Sequence, residues 1–300
     1  MKKQLAFVLG GGGARGALQV GALRALLEAG YQADMLVGTS AGAINATFMA
    51  MHGMSLQSIT GLTQAWHDAA EAELLPQNYL WLTVCALFRR PDVHTIHRLR
   101  DFFVSHGINP DLSFSQIQGI RLILVASDLN ASQPALLGLD PGQSVLEGLL
   151  ASTALPPWVA PIEKDGRLLM DGGAVSNLPI EPAMLAGATE IIALDLFDPG
   201  SLSHEASGFG PFLAKLLNTV EHRQTMTELA LAAARGVPVH YLHLRGPASV
   251  PLWDFSQADE LIEIGYNLAR AEIPRWQAQA QPKFIKWLRG LIEASADQQI

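Results

Sequence analysis

The segment that most constrains this chain is a strand–turn–helix pattern around Ser40. An apolar run at residues 35–37 leads into residues 38–42 (Gly-Thr-Ser-Ala-Gly), and a helix-like run follows. This is the G-x-S-x-G pattern, in which a sharp turn between strand and helix lifts the serine hydroxyl above the sheet. Gly38 and Gly42 are expected to support the turn, because strand and helix pass too closely there for a side chain. The pattern predicts Ser40 as a nucleophile, with a tight glycine turn and an incidental serine as the alternative.

A glycine-rich loop precedes this turn in the chain. Residues 4–9 are predicted as a strand that is apolar from residue 5 onward, as in a parallel strand covered on both faces. Four glycines follow at 10–13, before Arg15 and a helical pattern at 17–29. The loop satisfies G-x-G-x-x-G, so a nucleotide-binding oxidoreductase is a rival function. That fingerprint also needs an acidic residue near the end of the second strand, whereas Asp34 comes before that strand.

The same loop suits the stabilisation of a negatively charged oxygen. No side chains cover the backbone N–H groups of Gly11, Gly12 and Gly13, and the start of a helix adds partial positive charge. The next strand delivers Ser40 to the same edge of a sheet built from β–α–β units. We therefore predict an oxyanion hole at these glycines, with Arg15 either closing the loop through a salt bridge or assisting the oxyanion.

A serine nucleophile needs a base, and two choices are open. His240 and His243 lie in a predicted late strand at 239–244, where one of them would serve in a Ser–Asp–His order. The other choice is Asp171, which ends a short predicted strand at 168–170 and precedes two glycines. An aspartate takes the serine proton directly if burial raises its pKa. The residues by themselves favour neither a dyad nor a triad.

Several segments in this order resemble the patatin-like phospholipases, in particular the bacterial branch allied to the neuropathy-target-type esterases. They are the loop at 11–16, the serine turn at 38–42 and the Asp-Gly-Gly segment at 171–173. Residues 151–156 (Ala-Ser-Thr-Ala-Leu-Pro) resemble the loop that precedes the aspartate in that family. The resemblance implies a three-layer α/β/α fold with a mostly parallel central sheet, no cofactor and no metal.

The resemblance also implies roles for single residues. Ser40 would be the nucleophile and Asp171 the general base, with the amides of residues 11–13 as the oxyanion hole and Arg15 supporting it. The implied activity is that of a serine hydrolase cleaving carboxylic esters of lipids, of the phospholipase A or lysophospholipase type. Its substrate would be a phospholipid, a lysophospholipid or another fatty-acyl ester. A non-catalytic regulatory protein on the same fold is a further alternative.

Composition narrows the classes of partner and compartment. The net charge of −8 argues against a nucleic-acid binder, which usually carries a basic stripe. Cys85 is the one cysteine, so an intramolecular disulfide and a cysteine-cluster metal site are excluded, and a cytoplasmic location is expected. Residues 1–9 imitate a signal peptide, but the apolar run is short and breaks into glycines, so we expect a buried first strand instead.

The β–α–β–α start predicts a parallel sheet with right-handed crossovers, and no linker or repeat divides residues 1–300, so we predict one domain. Residues 71–110 are predicted as a cap over the substrate, with ordinary helical packing as the alternative. The tail at 272–300 contains a cationic amphipathic pattern at 282–294, which would lie on a membrane surface or dock on the domain or a second subunit. The oligomeric state is left open.

The rest of the pattern predicts further strands and helices. Strands are expected at 121–126, 135–139 and 190–197. Helices are expected at 41–52, 55–70, 95–105, 143–152, 211–235 and 257–271, and Pro182 is expected to begin another.

Overall fold

The computed structural model describes residues 3–72, 74–75, 93–156, 158–198, 209–246 and 250–280. Within these ranges, eight strands form one sheet in the order β5-β6-β3-β2-β1-β7-β8, and β4 also pairs with β3. The strands are β1 Leu5–Leu9, β2 Met35–Thr39, β3 Arg121–Asp128, β4 Gln133–Leu137, β5 Ile162–Lys164, β6 Arg167–Asp171, β7 Glu190–Asp195 and β8 Val239–His243.

The central part of the sheet is parallel. Strands β3, β2, β1, β7 and β8 run in one direction, whereas β4 and β6 pair antiparallel with β3, and β5 pairs antiparallel with β6. The predicted mostly parallel α/β sheet is therefore confirmed. Strand β5 was not predicted, because its sequence Ile-Glu-Lys has no apolar alternation and its position comes from the hairpin it makes with β6.

Helices flank the sheet at bounds close to the predicted ones. They are α1 Ala17–Glu28, α2 Ala41–His52, α3 Leu56–Glu71, α4 Val93–Ser105, α5 Val145–Ser152, α6 Ile180–Leu185, α7 Phe209–Ala234 and α8 Ala258–Ala280. The prediction that Pro182 begins a helix is wrong, because α6 begins at Ile180 with Pro179 as its N-cap. Pro182 still lies in the first turn, where backbone N–H groups have no intrahelical acceptor.

Two predicted segments fall partly outside the described residues. Helix α8 runs nine residues past its predicted end at 271, through Pro274, with Ile273 and Trp276 buried against the domain. The amphipathic pattern at 282–294 lies outside the described residues, and so do residues 73 and 76–92 of the predicted cap. The described part of that cap includes α4.

Alternate residues of the buried strands face two helical layers. In β1, Phe7 and Leu9 pack in one core with residues of α1, α2, α3 and α8. Ala6 and Val8 point to the opposite face, into a second core with residues of α6 and α7. This is the two-residue period of a strand that is covered on both sides, and it produces the three-layer α/β/α fold that the resemblance implied.

The chain that leaves β6 crosses the carboxyl edge of the sheet and brings distant segments together. The Thr39 hydroxyl at the end of β2 donates to the carbonyl of Ser176 over 2.9 Å. The amide of Gly11, just after β1, donates to the carbonyl of Asn177 over 3.0 Å. Although β6 is antiparallel to β3, its last residue, Asp171, lies near this edge because it pairs with Ala126, close to the end of β3.

Candidate active site

Ser40 sits on a strained turn between β2 and α2. Its backbone has φ 54° and ψ −122°, a conformation that costs on the order of 1–3 kcal/mol for a residue other than glycine. A Cβ on Gly42 would lie 2.1 Å from the carbonyl oxygen of Leu9, and one on Gly38 would lie 2.4 Å from that of Gly42. The two glycines therefore allow the contact between strand and helix that the G-x-S-x-G pattern predicted.

A buried serine from another part of the chain holds this turn in place. The Ser152 hydroxyl accepts a hydrogen bond from the amide of Ser40 over 3.1 Å and donates to the carbonyl of Val125 over 2.7 Å. Two residues later, the carbonyl of Ala154 accepts from the amide of Asp171 over 3.0 Å. Residues 151–156 thus fix the backbones of both candidate catalytic residues. Sequence reasoning noticed this segment only through the family resemblance and assigned it no role.

Asp171 is buried beside Ser40. Its side chain is 4% exposed, and its Oδ1 accepts from the amide of Gly173 over 2.9 Å. The Ser40 hydroxyl lies close to the carboxylate of Asp171, and this contact lowers the pKa of the carboxyl group. No described group meets full hydrogen-bond geometry at Oδ2. Such long or misaligned contacts are common at catalytic pairs before substrate binds.

The environment of Asp171 makes it a stronger base than an ordinary aspartate. Burial raises the pKa of its carboxyl group from the ordinary 3.8 to about 6, outweighing the opposing hydrogen bonds from Ser40 and Gly173. A carboxylate that ionises near pH 6 is deprotonated at neutral pH and still accepts a proton readily.

A second acidic side chain, Glu221 on α7, lies near this carboxylate. A Cβ on Gly173 would lie 3.1 Å from Asp171 Oδ1 and 3.7 Å from Glu221 Oε1. Burial raises the pKa of Glu221 to about 7; the charge of Arg15 opposes this rise, and the charge of Asp171 adds to it. Glu221 is therefore partly protonated at neutral pH, which limits the negative charge beside Asp171. No motif marked it in the sequence.

The two candidate histidines of the alternative triad lie elsewhere. Strand β8 is separated from β2 by β1 and β7, so three strand spacings, about 14 Å, divide their backbones. His240 Nε2 is 2.9 Å from Glu190 Oε1, and His243 Nε2 donates to the carbonyl of Phe197 over 2.7 Å. The structure thus brings Asp171, and neither histidine, to Ser40.

The glycine loop has two backbone amides available to bind an oxyanion, rather than the three that were predicted. The amide of Gly11 donates to Asn177, whereas those of Gly12 and Gly13 donate to no residue among those described. Gly13 also lines the cavity that Ser40 faces. The candidate oxyanion hole therefore narrows from Gly11, Gly12 and Gly13 to the last two.

Arg15 acts on the orientation of this loop. Its Nε donates to the carbonyl of Gly12 over 3.2 Å, and its guanidinium lies 3.8 Å from a carboxylate oxygen of Asp198. In a trans peptide the carbonyl oxygen of Gly12 and the N–H of Gly13 point in opposite directions. By holding that oxygen, Arg15 fixes the direction of the Gly13 N–H. Of the two roles considered from the sequence, the contacts favour the one that holds the loop.

A buried polar network links the glycine loop to α2. Gln19 Nε2 donates to the carbonyl of Gly10 over 2.9 Å, and Asn45 Nδ2 donates to the carbonyl of Gly16 over 3.0 Å. Asn45 also donates to Gln19 and accepts from the indole N–H of Trp66, each over 2.9 Å. Both ends of the loop are thereby tied to the helix that carries Ser40. These contacts have no local sequence pattern, and sequence reasoning missed them.

An apolar cavity is lined by Ser40 and Gly13. The space between its walls that no atom fills is about 920 Å³, with the open solvent at its mouth included. Helices α2, α3 and α4 line it with Ile44, Phe48, Trp66 and Phe102 among others, and the polar side chains on its described wall are Ser40, Thr153, His106 and Trp66, whose N–H is bonded to Asn45. The site therefore joins a polar catalytic corner to an apolar chamber.

Other site chemistries find less support in the structure. Asp34 accepts from the amide of Leu5 over 2.9 Å, so it lies at the amino edge of the sheet, opposite the edge where a dinucleotide ribose would be held. Within the described ranges, no three His, Cys, Asp or Glu side chains cluster as metal ligands. Nor does any helix there combine the length and the apolar character needed to span a membrane.

Comparison with known proteins identifies the family of this chain. Residues 7–184 match the patatin-like phospholipase family. The chain belongs to the patatin-like phospholipase family. The matched part includes the glycine loop, the Ser40 turn, residues 151–156 and Asp171, so the resemblance read from those motifs is confirmed.

Relatives of this family member are much longer proteins. The chain is 29% identical to patatin-like phospholipase domain-containing protein 7 of Mus musculus, over 91% of this chain and 21% of that protein. It is 26% identical to lysophospholipase nte1 of Aspergillus terreus, over 89% of this chain and 18% of that protein. The chain thus spans about a fifth of the length of these relatives. Among solved structures, human GIVD cytosolic phospholipase A2 is similar with a TM-score of 0.48 at 11% identity, over 90% of this chain and 58% of that one.

Proposed function

We propose that this patatin-like protein is a serine lipid acyl hydrolase of the phospholipase A or lysophospholipase type, with Ser40 and Asp171 as a catalytic dyad. The observation that carries the proposal is the contact of the Ser40 hydroxyl, on the wall of an apolar cavity, with the buried carboxylate of Asp171. One oxygen of that carboxylate has no hydrogen-bond partner among the described residues. A buried acceptor without a partner is costly. Its presence beside a strained serine is the signature expected of a functional pair.

In the proposed first half-reaction, Ser40 Oγ forms a bond to the ester carbonyl carbon while Asp171 Oδ2 takes the hydroxyl proton. The amides of Gly12 and Gly13 donate hydrogen bonds to the oxyanion of the tetrahedral intermediate. When the intermediate collapses, the bond to the alcohol oxygen breaks and Asp171 returns the proton to that oxygen. The product is an acyl group bound to Ser40 and a free alcohol.

The second half-reaction uses water in place of the alcohol. Asp171 takes a proton from a water molecule, whose oxygen forms a bond to the acyl carbon. Collapse of the second tetrahedral intermediate releases the fatty acid, and Asp171 returns the proton to Ser40 Oγ. The raised pKa of Asp171 suits a group that must both accept and return a proton near neutral pH.

Lipid esters are the substrates that the cavity supports best. Its wall is almost wholly apolar, and apolar burial of a fatty-acyl chain contributes about 0.8 kcal/mol per methylene. We further propose that the described part of residues 71–110, which includes Leu74 and Leu75 on the cavity wall, belongs to a substrate-covering cap. A cytoplasmic location with peripheral contact to membrane lipid is part of the same proposal.

The test is hydrolysis of phospholipids, lysophospholipids and neutral esters by the purified chain and by Ser40→Ala. Ser132→Ala is the matched control, because Ser132 has nearly the same backbone φ of 55° but is exposed in the turn between β3 and β4. We expect Ser40→Ala to lose activity and Ser132→Ala to keep it. Retention of ester hydrolysis by a folded Ser40→Ala variant would refute the proposal.

A further inference from the structure

The helix that begins at Ser40 forms a wall of the cavity along its length. Between Ala41 and Met51, the residues that are partly accessible are Ile44, Phe48 and Met51, and all the others are buried. These three line the cavity. Spacings of four and three residues place them on one face of α2, so their accessible surface is directed into the cavity.

This face of α2 gives a scale of distance from the nucleophile. Because an α-helix rises 1.5 Å per residue, Ile44, Phe48 and Met51 lie about 6, 12 and 16 Å along the axis from Ser40. An extended hydrocarbon advances about 1.3 Å per carbon, given C–C bonds of about 1.5 Å. A chain lying along α2 would pass Ile44 near the fifth carbon, Phe48 near the ninth and Met51 near the thirteenth, as rough positions.

The walls that face α2 are apolar and well fixed. Helix α3 contributes Leu62 and Trp66, and α4 contributes Leu99 and Phe102. The Trp66 indole is held by its hydrogen bond to Asn45, and Phe48 packs over α3, since a Cβ on Gly61 would lie 3.1 Å from its ring. A channel bounded by such side chains matches the hydrocarbon part of an ester better than its alcohol or head group.

We propose that α2 sets the length of the acyl chain that the enzyme accepts, with Ile44, Phe48 and Met51 as successive specificity-determining contacts. The inference rests on the proposed hydrolase function and deepens it. The acyl carbonyl lies at Ser40 and Gly13, the chain extends along α2, and the alcohol leaves through the open mouth. The substrate class is an ester of one long, straight fatty-acyl chain.

The experiment measures kcat/KM for esters with one leaving group and acyl chains of about four to about sixteen carbons, a range that brackets the expected positions. All are presented in the same mixed micelles to the wild type, Ile44→Trp and Met51→Trp. Each methylene that loses its contact lowers kcat/KM about fourfold. Ile44→Trp is expected to lower kcat/KM for acyl chains of about six carbons or more, relative to shorter chains. Met51→Trp is expected to lower it only for chains of about twelve carbons or more.

A pair of methionines on opposite faces of α2 gives the matched control. Met51 lines the cavity, whereas Met49 is fully buried in the core. Met51→Ala is expected to shift the preference toward longer chains by about two carbons, the length that is removed from its side chain. Met49→Ala removes the same atoms and is expected to leave the profile unchanged. This pair gives a result even if a tryptophan variant fails to fold.

The outcomes separate this proposal from the function on which it rests. If the wild type hydrolyses no ester of the series, the hydrolase proposal fails and takes this one with it. If the wild type is active but Met51→Trp and Met51→Ala keep its ratio of kcat/KM for long acyl chains to kcat/KM for short ones, the chain-length proposal alone is overturned. It is also overturned if Met49→Ala shifts the profile as Met51→Ala does.

Discussion

Two buried aspartates at the carboxyl edge of the sheet differ in how their oxygens are satisfied. Asp171 ends β6 and Asp195 ends β7, and they are 4% and 0% exposed. Asp195 has a partner on each oxygen, since Oδ1 accepts from the amide of Phe197 over 3.2 Å and Oδ2 accepts from the Tyr241 hydroxyl over 2.5 Å. At Asp171, Oδ1 accepts from Gly173, whereas Oδ2 has no hydrogen-bond partner among the described residues. The Ser40 hydroxyl lies close to this carboxylate.

The difference teaches that burial at a strand end does not by itself indicate catalysis. The carboxylate of Asp195 joins β7 to β8 through its hydrogen bond with Tyr241. Burial raises the pKa of the Tyr241 hydroxyl, and the charge of Asp195 raises it further. Asp171 has one oxygen without a hydrogen-bond partner among the described residues, and in the proposed dyad this oxygen takes the proton of Ser40. We therefore expect mutations at the two positions to differ in their effects on activity and on stability.

The largest expected effect is on catalysis. Asp171→Asn should lower kcat/KM for a lipid ester by about a thousandfold or more, within the range that a general base contributes. Asp195→Asn should lower it less than about fivefold per folded molecule, because its carboxylate bonds only to structural groups. Steady-state kinetics on folded protein measures both. Equal losses in the two variants would break the comparison.

The pH profile should report the ionisation of Asp171. A base with a pKa of about 6 must be deprotonated to act, so kcat/KM should be half-maximal near pH 6. Below that point it should fall tenfold per pH unit, about a hundredfold by pH 4. Asp195→Asn should keep the same profile. A wild-type rate that is level from pH 7 to pH 4 would show that the base is another group.

Removal of the Asp171 charge should raise stability at alkaline pH. Because the folded-state pKa of Asp171 is raised above 3.8, the contribution of this group to stability is fully present below about pH 4 and is lost as pH rises through about 6. Asp171→Asn lacks this loss and should be more stable at pH 8 by about 3 kcal/mol. The advantage should vanish below pH 4. Urea unfolding at both pH values measures it, and a destabilised Asp171→Asn at pH 8 would contradict the sign.

The smallest expected effect is at the partner of Asp195. Tyr241→Phe removes a hydrogen bond to a buried carboxylate, so it should cost about 1–3 kcal/mol of unfolding free energy. Catalysis should change less than about threefold, since β8 is distant from Ser40. Thermal unfolding and kcat/KM on the same preparation provide the two readings. A large catalytic loss with unchanged stability would assign the Asp195–Tyr241 pair to the site instead.

The elements predicted best were those with a local signal. Apolar runs predicted β1, β2, β3 and β7, and the glycines beside Ser40 predicted the turn from steric requirements. Strand β8 was also predicted, one residue longer than observed. The sequence could not predict β5, whose existence depends on pairing with β6. It also misplaced the start of α6, because Pro179 and Pro182 are both acceptable near a helix N-terminus.

The parts of the site that were missed depend on contacts between distant segments. Ser152 holds the Ser40 turn across 112 residues, and nothing in its own surroundings indicates this. The residues alone left the choice between Asp171 and the histidines open, and the family resemblance favoured Asp171; the strand order adds that β8 lies far from β2. The loss of the Gly11 amide to Asn177 likewise appears only when the chain after β6 crosses the sheet. The cavity was hidden because helical stripes of apolar residues indicate core in most proteins.

The most direct test of the Ser40–Asp171 dyad is the rate at which a fluorophosphonate labels the protein, with the adduct located by peptide mass spectrometry. The wild type and Asp195→Asn should form one adduct, on Ser40, at similar rates. The labelling rate of Asp171→Asn should be lower by at least about a hundredfold, because the serine then lacks its base. An adduct on another residue, or labelling of Ser40 in Asp171→Asn at the wild-type rate, would contradict the assignment.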